Sequence, residues 1–158
     1  MDVHRGYLPG CIGAIVRLHA SYYHRLVGFG VPFEAVVARE LADFCERCDG
    51  ARDGLWLALD GGEVQGSIAI DGRDFAGAHL RWFITGDAVR GSGLGSRLLT
   101  DALNFCDAGG HRRVHLWTFE GLDAARHLYE KHGFRLVHQQ AGARWGSAVN
   151  EQHFERLV

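Results

Sequence analysis

The sequence predicts a mixed α/β fold, in which a central sheet carries helices on both faces. Apolar spacing is helical at the start of the chain, alternates in the middle as in strands, and then changes between the two types. Residues 114–119 are apolar on both faces, which is typical of a strand covered from both sides. The 22 glycines are scattered and only two prolines occur in 158 residues, so no linker is evident and we expect one domain, residues 1–158.

Two helices are expected at the start of the chain. Apolar side chains recur at helical spacing over residues 11–27, and the run Gly28-Phe29-Gly30 ends that helix. Pro32 suits the first turn of the second helix. The inner face of this second helix is expected to consist of Val37, Leu41, Phe44 and Cys48.

Strands follow, beginning with a hairpin. Residues 55–59 and 64–70 flank the turn Asp60-Gly61-Gly62-Glu63, residues 72–77 form the next turn, and residues 78–85 form a third strand. The remaining expected elements are a helix over 94–106, a strand over 114–119, a helix over 123–132, a strand over 134–139 and a final strand over 152–157.

The composition excludes several classes of protein. The 17 Lys and Arg residues against 19 Asp and Glu give a formal charge of −2 without a long block of one sign, so nucleic acid is not an expected partner. The first residues lack the pattern of a signal peptide, and no window approaches the ~20 apolar residues of a membrane span. We expect a cytoplasmic protein that binds neither nucleic acid nor membranes, and a homodimer is left open.

The four cysteines are expected to be reduced thiols, because they lie within apolar, helix-like patterns. Cys45 and Cys48 form a C-x-x-C, but zinc requires four ligands and no second pair follows at the spacing of a zinc finger. A metal or redox site therefore competes with two half-buried helix positions, and no metal is expected.

The segment Arg90-Gly91-Ser92-Gly93-Leu94-Gly95-Ser96 lies directly before the third expected helix. Glycines let the backbone approach a ligand closely, and the first N–H groups of a helix have no intrahelical partner. Together with the helix dipole and the charge of Arg90, these groups favour an anion. A phosphate ligand is predicted, against the alternative that the glycines merely turn the chain.

Two common nucleotide-binding motifs are absent from this segment. A P-loop requires G-x-x-x-x-G-K-[ST], and the chain has no lysine before Lys131. A dinucleotide-binding loop requires G-x-G-x-x-G, and Ser96 occupies the third glycine position. ATP, GTP and NAD are therefore disfavoured as ligands.

Two separate blocks resemble the GNAT superfamily of acyl-CoA-dependent N-acyltransferases. Residues 90–95 satisfy R/Q-x-x-G-x-G/A, and residues 125–134 (ARHLYEKHGF) are similar to A-x-x-L-Y-E-K-x-G-F. Residues 117–125 also resemble the acetyltransferase domains fused to MarR-type regulators, although no DNA-binding half is recognised in the sequence. The resemblance implies a mixed, mostly antiparallel central sheet with strands splayed at the cofactor site.

The resemblance implies acetyl-CoA as the cosubstrate and a small-molecule, peptide or protein amine as the acceptor. Backbone groups of Phe83, Ile84 and Thr85 would pair with the pantetheine arm, and the N–H groups of residues 91–96 would bind the pyrophosphate. The amine would attack the thioester directly, with the oxyanion stabilised by a backbone N–H near Phe83 or Ile84. Many relatives have an asparagine that contacts the cofactor at the position of Leu122.

Three residues are candidates for proton transfer. Tyr129 matches the family tyrosine thought to protonate the departing thiolate, and the alternative is a core tyrosine. His79, eleven residues before the motif arginine, is a candidate general base, because an imidazole titrates near pH 6.5. Glu120 is the competing base, and deprotonation through water is a third route.

The acceptor site is expected among the first two helices and the tail. The residues that cluster near the junction of these helices are Tyr22, Tyr23, His24, Phe29, Phe33 and Glu34. They either receive a cationic amine or pack the helices together, and Arg144 and Trp145 allow the same two interpretations. A non-catalytic acyl-CoA-binding or regulatory module and a nucleotide-binding domain are the alternatives to an enzyme.

Overall fold

The computed structural model describes residues 1–73 and 76–158. Its strands are β1 (Asp2–Arg5), β2 (Gly54–Asp60), β3 (Glu63–Asp71), β4 (Ala78–Thr85), β5 (Arg113–Phe119), β6 (Arg135–Gly142) and β7 (Val149–Leu157). Its helices are α1 (Cys11–Val27), α2 (Val31–Arg47), α3 (Leu94–Ala108) and α4 (Asp123–Lys131). Among the described residues, no helix combines the length and apolar character that a membrane crossing requires. The turn expected over 72–77 includes positions 74 and 75, which lie outside the described residues.

The seven strands form one mixed, mostly antiparallel sheet in the order β1-β2-β3-β4-β5-β7-β6. Within the described chain, β4 and β5 are the one parallel pair, and every other neighbouring pair is antiparallel. Parallel neighbours need a crossover connection, and α3 lies in the segment that joins these two strands. The predicted sheet type is therefore confirmed.

Two hydrophobic clusters cover the two faces of the sheet. Successive residues of a strand point to opposite faces, and β2 shows the consequence directly. Leu55 and Leu57 pack with α1 and α2, whereas Trp56 and Ala58 pack with α3. The prediction of helices on both faces is confirmed.

The structure differs from the prediction in β1, α2, β6 and β7. β1 was not predicted, because Asp2–Arg5 is short and polar and becomes a strand through its pairing with β2. Helix α2 ends before Cys48, so this residue is exposed rather than on the inner face. β6 and β7 extend beyond the predicted ranges, to Gly142 and back to Val149, because they pair with each other along this length.

Candidate active site

β4 and β5 separate along their length and leave an opening in the sheet. The two strands pair only where Ala78 meets Val114 and His79 meets His115. β4 then continues to Thr85 while it stays paired with β3, and β5 continues alongside β7. The backbone groups of β4 that face the opening are therefore not used by β5, as the resemblance predicted for strands splayed at the cofactor site.

A β-bulge lies in β4 beside this opening. Ser67 of β3 lies opposite Ile84, and two positions further along β3, Ala69 lies opposite Arg81. One residue of β3 therefore faces two residues of β4. One of these two is Trp82, whose φ of 47° lies in the left-handed region that residues other than glycine rarely adopt. The Ser67 hydroxyl donates a hydrogen bond to the Trp82 carbonyl (2.7 Å) and so helps to hold the bulge.

The glycine segment forms a turn that leads into α3. Gly91 and Gly93 have φ values of 82° and 83°, and a Cβ at either position would meet nothing within 4 Å. Backbone conformation, rather than crowding, therefore explains these glycines. The N–H of Arg97 donates to the Gly93 carbonyl (3.1 Å). The N–H groups of residues 94–96 precede this bond and have no intrahelical acceptor, which makes them suitable donors for an anion.

Ser92 and Arg90 form hydrogen bonds that stabilise the turn. The N–H of Ser92 donates to the Val89 carbonyl (3.2 Å), so one of the predicted phosphate donors is already used inside the turn. The Arg90 guanidinium donates to the Thr85 carbonyl (2.7 Å) and pairs with Asp87 (2.5 Å). Arg90 therefore connects the turn to the end of β4, as well as placing a positive charge beside it.

A cavity of about 460 Å³, the loop cavity, lies between the end of β4 and the start of α4. The predicted cofactor residues that line it are Phe83, Ile84, Thr85, Arg90 and Gly95. The opposite wall includes Leu122, Asp123, Ala124, Ala125 and Leu128. Leu122, the position at which the resemblance implies an asparagine in many relatives, lies in this wall and offers apolar packing.

A second cavity of about 450 Å³, the aromatic cavity, is enclosed by α1, α2, β4, β5 and the loop between β6 and β7. Its eight aromatic lining residues are Tyr23, Phe33, Trp82, Phe83, Trp117, Phe119, Tyr129 and Trp145. Glu40 and Arg81 also line it and form an ion pair (2.5 Å), and Arg144 is a further cation in the wall. This cavity combines aromatic rings with charged and polar groups, so it suits an organic ligand that has both an apolar body and a polar group.

The two cavities share four lining residues, which are Tyr23, Phe83, Thr118 and Tyr129. Tyr129 is 6% exposed, and its ring packs against Phe83 with centroids 6.0 Å apart. Burial raises the pKa of Tyr129, and the neighbouring Tyr23 adds to the shift. Burial also raises the pKa of Tyr23. Both hydroxyl groups therefore stay protonated at neutral pH.

The two candidate bases lie in different surroundings. His79 lines the aromatic cavity and stacks on His115, with ring centroids 4.6 Å apart. Glu120 is exposed, lines neither cavity among the described residues, and accepts a hydrogen bond from the Asn150 amide (3.0 Å). The structure therefore brings His79, but not Glu120, to the cavity that Tyr129 also lines.

The residues expected at the acceptor end separate into two groups. Tyr23 and Phe33 line the aromatic cavity, together with Arg144 and Trp145 from the other end of the chain. Glu34, the carboxylate expected to receive a cationic amine, is exposed and lines neither of the two cavities. The aromatic part of that prediction thus coincides with a cavity, and its acidic part does not.

His19 lines the aromatic cavity, although the sequence indicates only that it faces inward from α1. Its Nδ1 lies 2.8 Å from the Ile15 carbonyl and must donate to that oxygen, which leaves Nε2 as an acceptor. The side chain is 5% exposed, and burial lowers its pKa to about 4. A neutral imidazole therefore forms part of the cavity wall beside Tyr23.

Several solved structures share this fold. A crystal structure of an acetyltransferase from Streptococcus agalactiae has a TM-score of 0.76 at 21% identity, with 99% of this chain and 98% of that chain covered. For a ribosomal-protein-alanine N-acetyltransferase from Brucella melitensis the TM-score is 0.78 at 12% identity, with 100% of both chains covered. For a mutant spermidine N-acetyltransferase from Vibrio cholerae the TM-score is 0.70 at 14% identity, with 99% of this chain and 95% of that chain covered.

Sequence comparison identifies the family. A search of curated proteins found no significant match. A scan against protein families matches residues 14–134 to the acetyltransferase (GNAT) family. This range contains the glycine turn, both strands that border the opening and Tyr129. The chain belongs to the acetyltransferase (GNAT) family.

Proposed function

We propose that the protein transfers the acetyl group of acetyl-CoA to a primary amine, with both substrates bound at the opening between β4 and β5. The observation that carries this proposal is the meeting of the loop cavity and the aromatic cavity at Tyr23, Phe83, Thr118 and Tyr129. One cavity adjoins a helix N-terminus that suits phosphate, and the other has a wall of aromatic and polar side chains that suits an organic acceptor. Two substrates in these cavities would meet without passing through solvent.

The residues around the loop cavity fit acetyl-CoA, which supplies an acetyl group activated as a thioester. The N–H groups of residues 94–96 would bind the pyrophosphate, and the β4 backbone at residues 83–85 would pair with the pantetheine arm. The apolar side chains of Leu122 and Leu128 would contact the methylene groups of that arm. The helix dipole of α3 adds to the attraction for the phosphates.

The chemistry needs two proton movements and one site for negative charge. Attack by the amine nitrogen forms the C–N bond and breaks the C–S bond. His79, or water beside it, would accept the proton that leaves the amine, and Tyr129 would donate to the departing thiolate. A backbone N–H near Phe83 or Ile84 would stabilise the developing oxyanion.

We further propose that the protein acts in the cytoplasm on a small-molecule, peptide or protein amine. Support comes from the cysteines at positions 11, 45, 48 and 106, all of which are free thiols, as expected in a reducing compartment. The formal charge of −2 argues against a nucleic-acid partner. On the resemblance of residues 117–125, we also propose kinship with the acetyltransferase domains fused to MarR-type regulators. Size-exclusion chromatography would test for a homodimer.

The direct test combines a binding measurement with a turnover measurement. We expect calorimetry to show binding of CoA and acetyl-CoA to the purified protein, and release of free thiol from acetyl-CoA to accelerate when a suitable amine is added. ATP and NAD serve as control ligands, and neither should protect the fold against heat. Tight CoA binding without turnover of any amine would instead favour the regulatory module, and absence of CoA binding would overturn the proposal.

A further inference from the structure

The aromatic cavity lacks the charge pattern that a polycationic acceptor would need. Among the described residues, Glu40 is the one carboxylate in its wall, and it is already paired with Arg81 (2.5 Å). Arg144 adds a second cation to the wall. Each guanidinium has a carboxylate partner, which is Glu40 for Arg81 and Glu151 for Arg144. Within the described part of the chain, the wall therefore offers a polycation no unpaired carboxylate.

Arg144 is held against the cavity wall by contacts that do not use its terminal nitrogens. Its guanidinium carbon lies 3.9 Å from the centroid of the Trp117 ring, within the range of a cation–π contact. Its Nε donates to Glu151 Oε1 (3.3 Å), and its backbone N–H donates to Glu151 Oε2 (2.9 Å). Neither terminal nitrogen forms a hydrogen bond with a described residue.

Glu151 holds the Arg144 side chain in this orientation. Its side chain is 3% exposed, and Gln140 also donates to it, at 3.4 Å. Burial alone would raise the pKa of Glu151, but the hydrogen bonds from Arg144 and Gln140 bring it below its usual value. The carboxylate is therefore ionised at neutral pH and holds Arg144 through Nε, so the planar pair of terminal N–H groups is left to receive an anion.

We propose that the acceptor is a primary amine with an apolar body and a carboxylate, and that Arg144 binds this carboxylate. The inference rests on the acetyl transfer proposed above. The body of the acceptor lies among the aromatic rings, and its amine reaches the junction lined by Tyr129 and Thr118. A polyamine finds no unpaired carboxylate among the described lining residues, because Glu40 is already paired with Arg81.

Matched amines test this proposal. Benzylamine and 4-(aminomethyl)benzoate differ by a carboxylate at the far end of the ring. Phenethylamine and phenylalanine differ by a carboxylate beside the amine. Spermidine represents polycations. In at least one pair, we expect the carboxylated amine to have a kcat/KM about tenfold higher or more, as a charge-assisted contact provides. Benzylamine, phenethylamine or spermidine as the preferred acceptor would overturn the proposal. Acetylation of any of these amines would still support the acetyl transfer proposed above.

Variants at position 144 assign the effect to this side chain. Arg144→Gln should remove the advantage of the carboxylated amine, so that the ratio of kcat/KM within a pair falls toward one, with the KM for acetyl-CoA unchanged. Arg144→Lys keeps the charge without the planar fork and should retain part of the advantage. Arg135→Gln removes an exposed arginine that lines neither cavity, and it should behave as wild type. An equal loss for both members of a pair in Arg144→Gln would contradict a carboxylate contact.

A binding measurement covers the case in which no amine of the panel turns over. Trp117 and Trp145 line the cavity, so their fluorescence should respond when a ligand enters the CoA-bound protein. Tighter binding of 4-(aminomethyl)benzoate or phenylalanine than of the matching amine without a carboxylate, lost in Arg144→Gln, supports the proposal. Equal or weaker binding overturns it. Failure of acetyl-CoA itself to bind would show that the acetyl transfer is wrong, independently of the acceptor.

Discussion

Tyr129 and Tyr23 both line the two cavities, and the pKa of each hydroxyl is raised by burial. A phenol ordinarily titrates near pH 10 and a thiol near 8.5, so a raised phenol pKa makes full proton transfer to a thiolate less favourable. The hydroxyl then acts mainly as a hydrogen-bond donor to the developing negative charge on sulfur. Family resemblance favours Tyr129 for this role, and the structure adds Tyr23 as a neighbour with similar surroundings.

We predict that Tyr129→Phe lowers kcat by about 10- to 100-fold while the Kd for acetyl-CoA stays within about twofold, since the loss is confined to charge that develops during the reaction. Tyr23→Phe is the matched variant, and it should reduce kcat less. Steady-state kinetics and calorimetry with acetyl-CoA check both variants. A larger kcat effect for Tyr23→Phe would transfer the role to Tyr23, and unchanged turnover in Tyr129→Phe would remove Tyr129 from the mechanism.

His79 and Glu120 can be separated by the pH dependence of turnover. A protonated imidazole cannot accept a proton, so kcat/KM of the wild type should show an acidic limb that reflects His79. We predict that His79→Gln loses this limb and that Glu120→Gln keeps it, because the Glu120 carboxylate lies outside both cavities and is bonded to Asn150. Rates measured between pH 5.5 and 9 with one amine test this. If His79→Gln keeps the same limb, water or another group is the base.

At the level of secondary structure, the turn before α3 depends on Gly93, whose φ of 83° an alanine adopts only with strain. The first N–H groups of the helix follow directly, so a change in this turn redirects the donors expected to bind the pyrophosphate. We predict that Gly93→Ala raises the Kd for CoA by about tenfold, since strain of 1–2 kcal/mol is of that size. Calorimetry with CoA gives the measurement.

Gly13→Ala is the matched control for this substitution. Gly13 lies within α1, and a Cβ added there would meet nothing within 4 Å. Alanine at an exposed helix position should raise the free energy of unfolding by about 0.5–1 kcal/mol, with no change in CoA binding. CoA binding by Gly93→Ala that equals that of the control would show that the turn conformation is not needed for the cofactor.

Elements with local signals could be predicted from the sequence, and elements that depend on a distant partner could not. Helix α1 has the predicted bounds, Cys11–Val27, because its apolar spacing and the glycine that ends it are both local. β1 has no such pattern and exists through its pairing with β2. The bulge at Trp82 also depends on a distant partner. The Ser67 hydroxyl of β3 donates a hydrogen bond to Trp82, whose backbone conformation tryptophan rarely adopts.

At the level of the whole molecule, the loop cavity and the aromatic cavity differ in how far their residues could be predicted from the sequence. Most of the loop cavity comes from two sequence blocks, near residues 83–95 and 122–129, and both blocks carry recognisable motifs. The aromatic cavity combines α1, α2, β4, β5 and Arg144 from the loop after β6. Apart from residues 117–119 and Tyr129, its residues lie outside the blocks that resemble the family, and the sequence left Arg144 with two interpretations. The orientation of the Arg144 side chain follows from its packing between Trp117 and Glu151, which the sequence does not show.

A buried histidine in α1 and a half-buried histidine in β7 make global stability depend on pH. Burial lowers the pKa of His19 in α1 to about 4, and burial together with the neighbouring His115 lowers that of His153 in β7 to about 4. In the unfolded chain both rings bind a proton near pH 6.5, whereas the folded chain excludes it until about pH 4. The stabilising contribution is therefore complete above pH 6.5 and is lost as the pH falls toward 4.

We predict that the free energy of unfolding is nearly constant between pH 7 and 8 and decreases below pH 6.5, with a slope that approaches about 1.4 kcal/mol per pH unit for His19 and a smaller one for the solvent-screened His153. His19→Asn retains a side-chain N–H for the Ile15 carbonyl but does not titrate, so its curve should be shallower between pH 6.5 and 4 even if its overall stability is lower. His127→Asn, at an exposed position of α4, should leave the slope unchanged. Urea unfolding at a series of pH values gives the slopes, and equal slopes for His19→Asn and wild type would show that His19 is not held neutral by the fold.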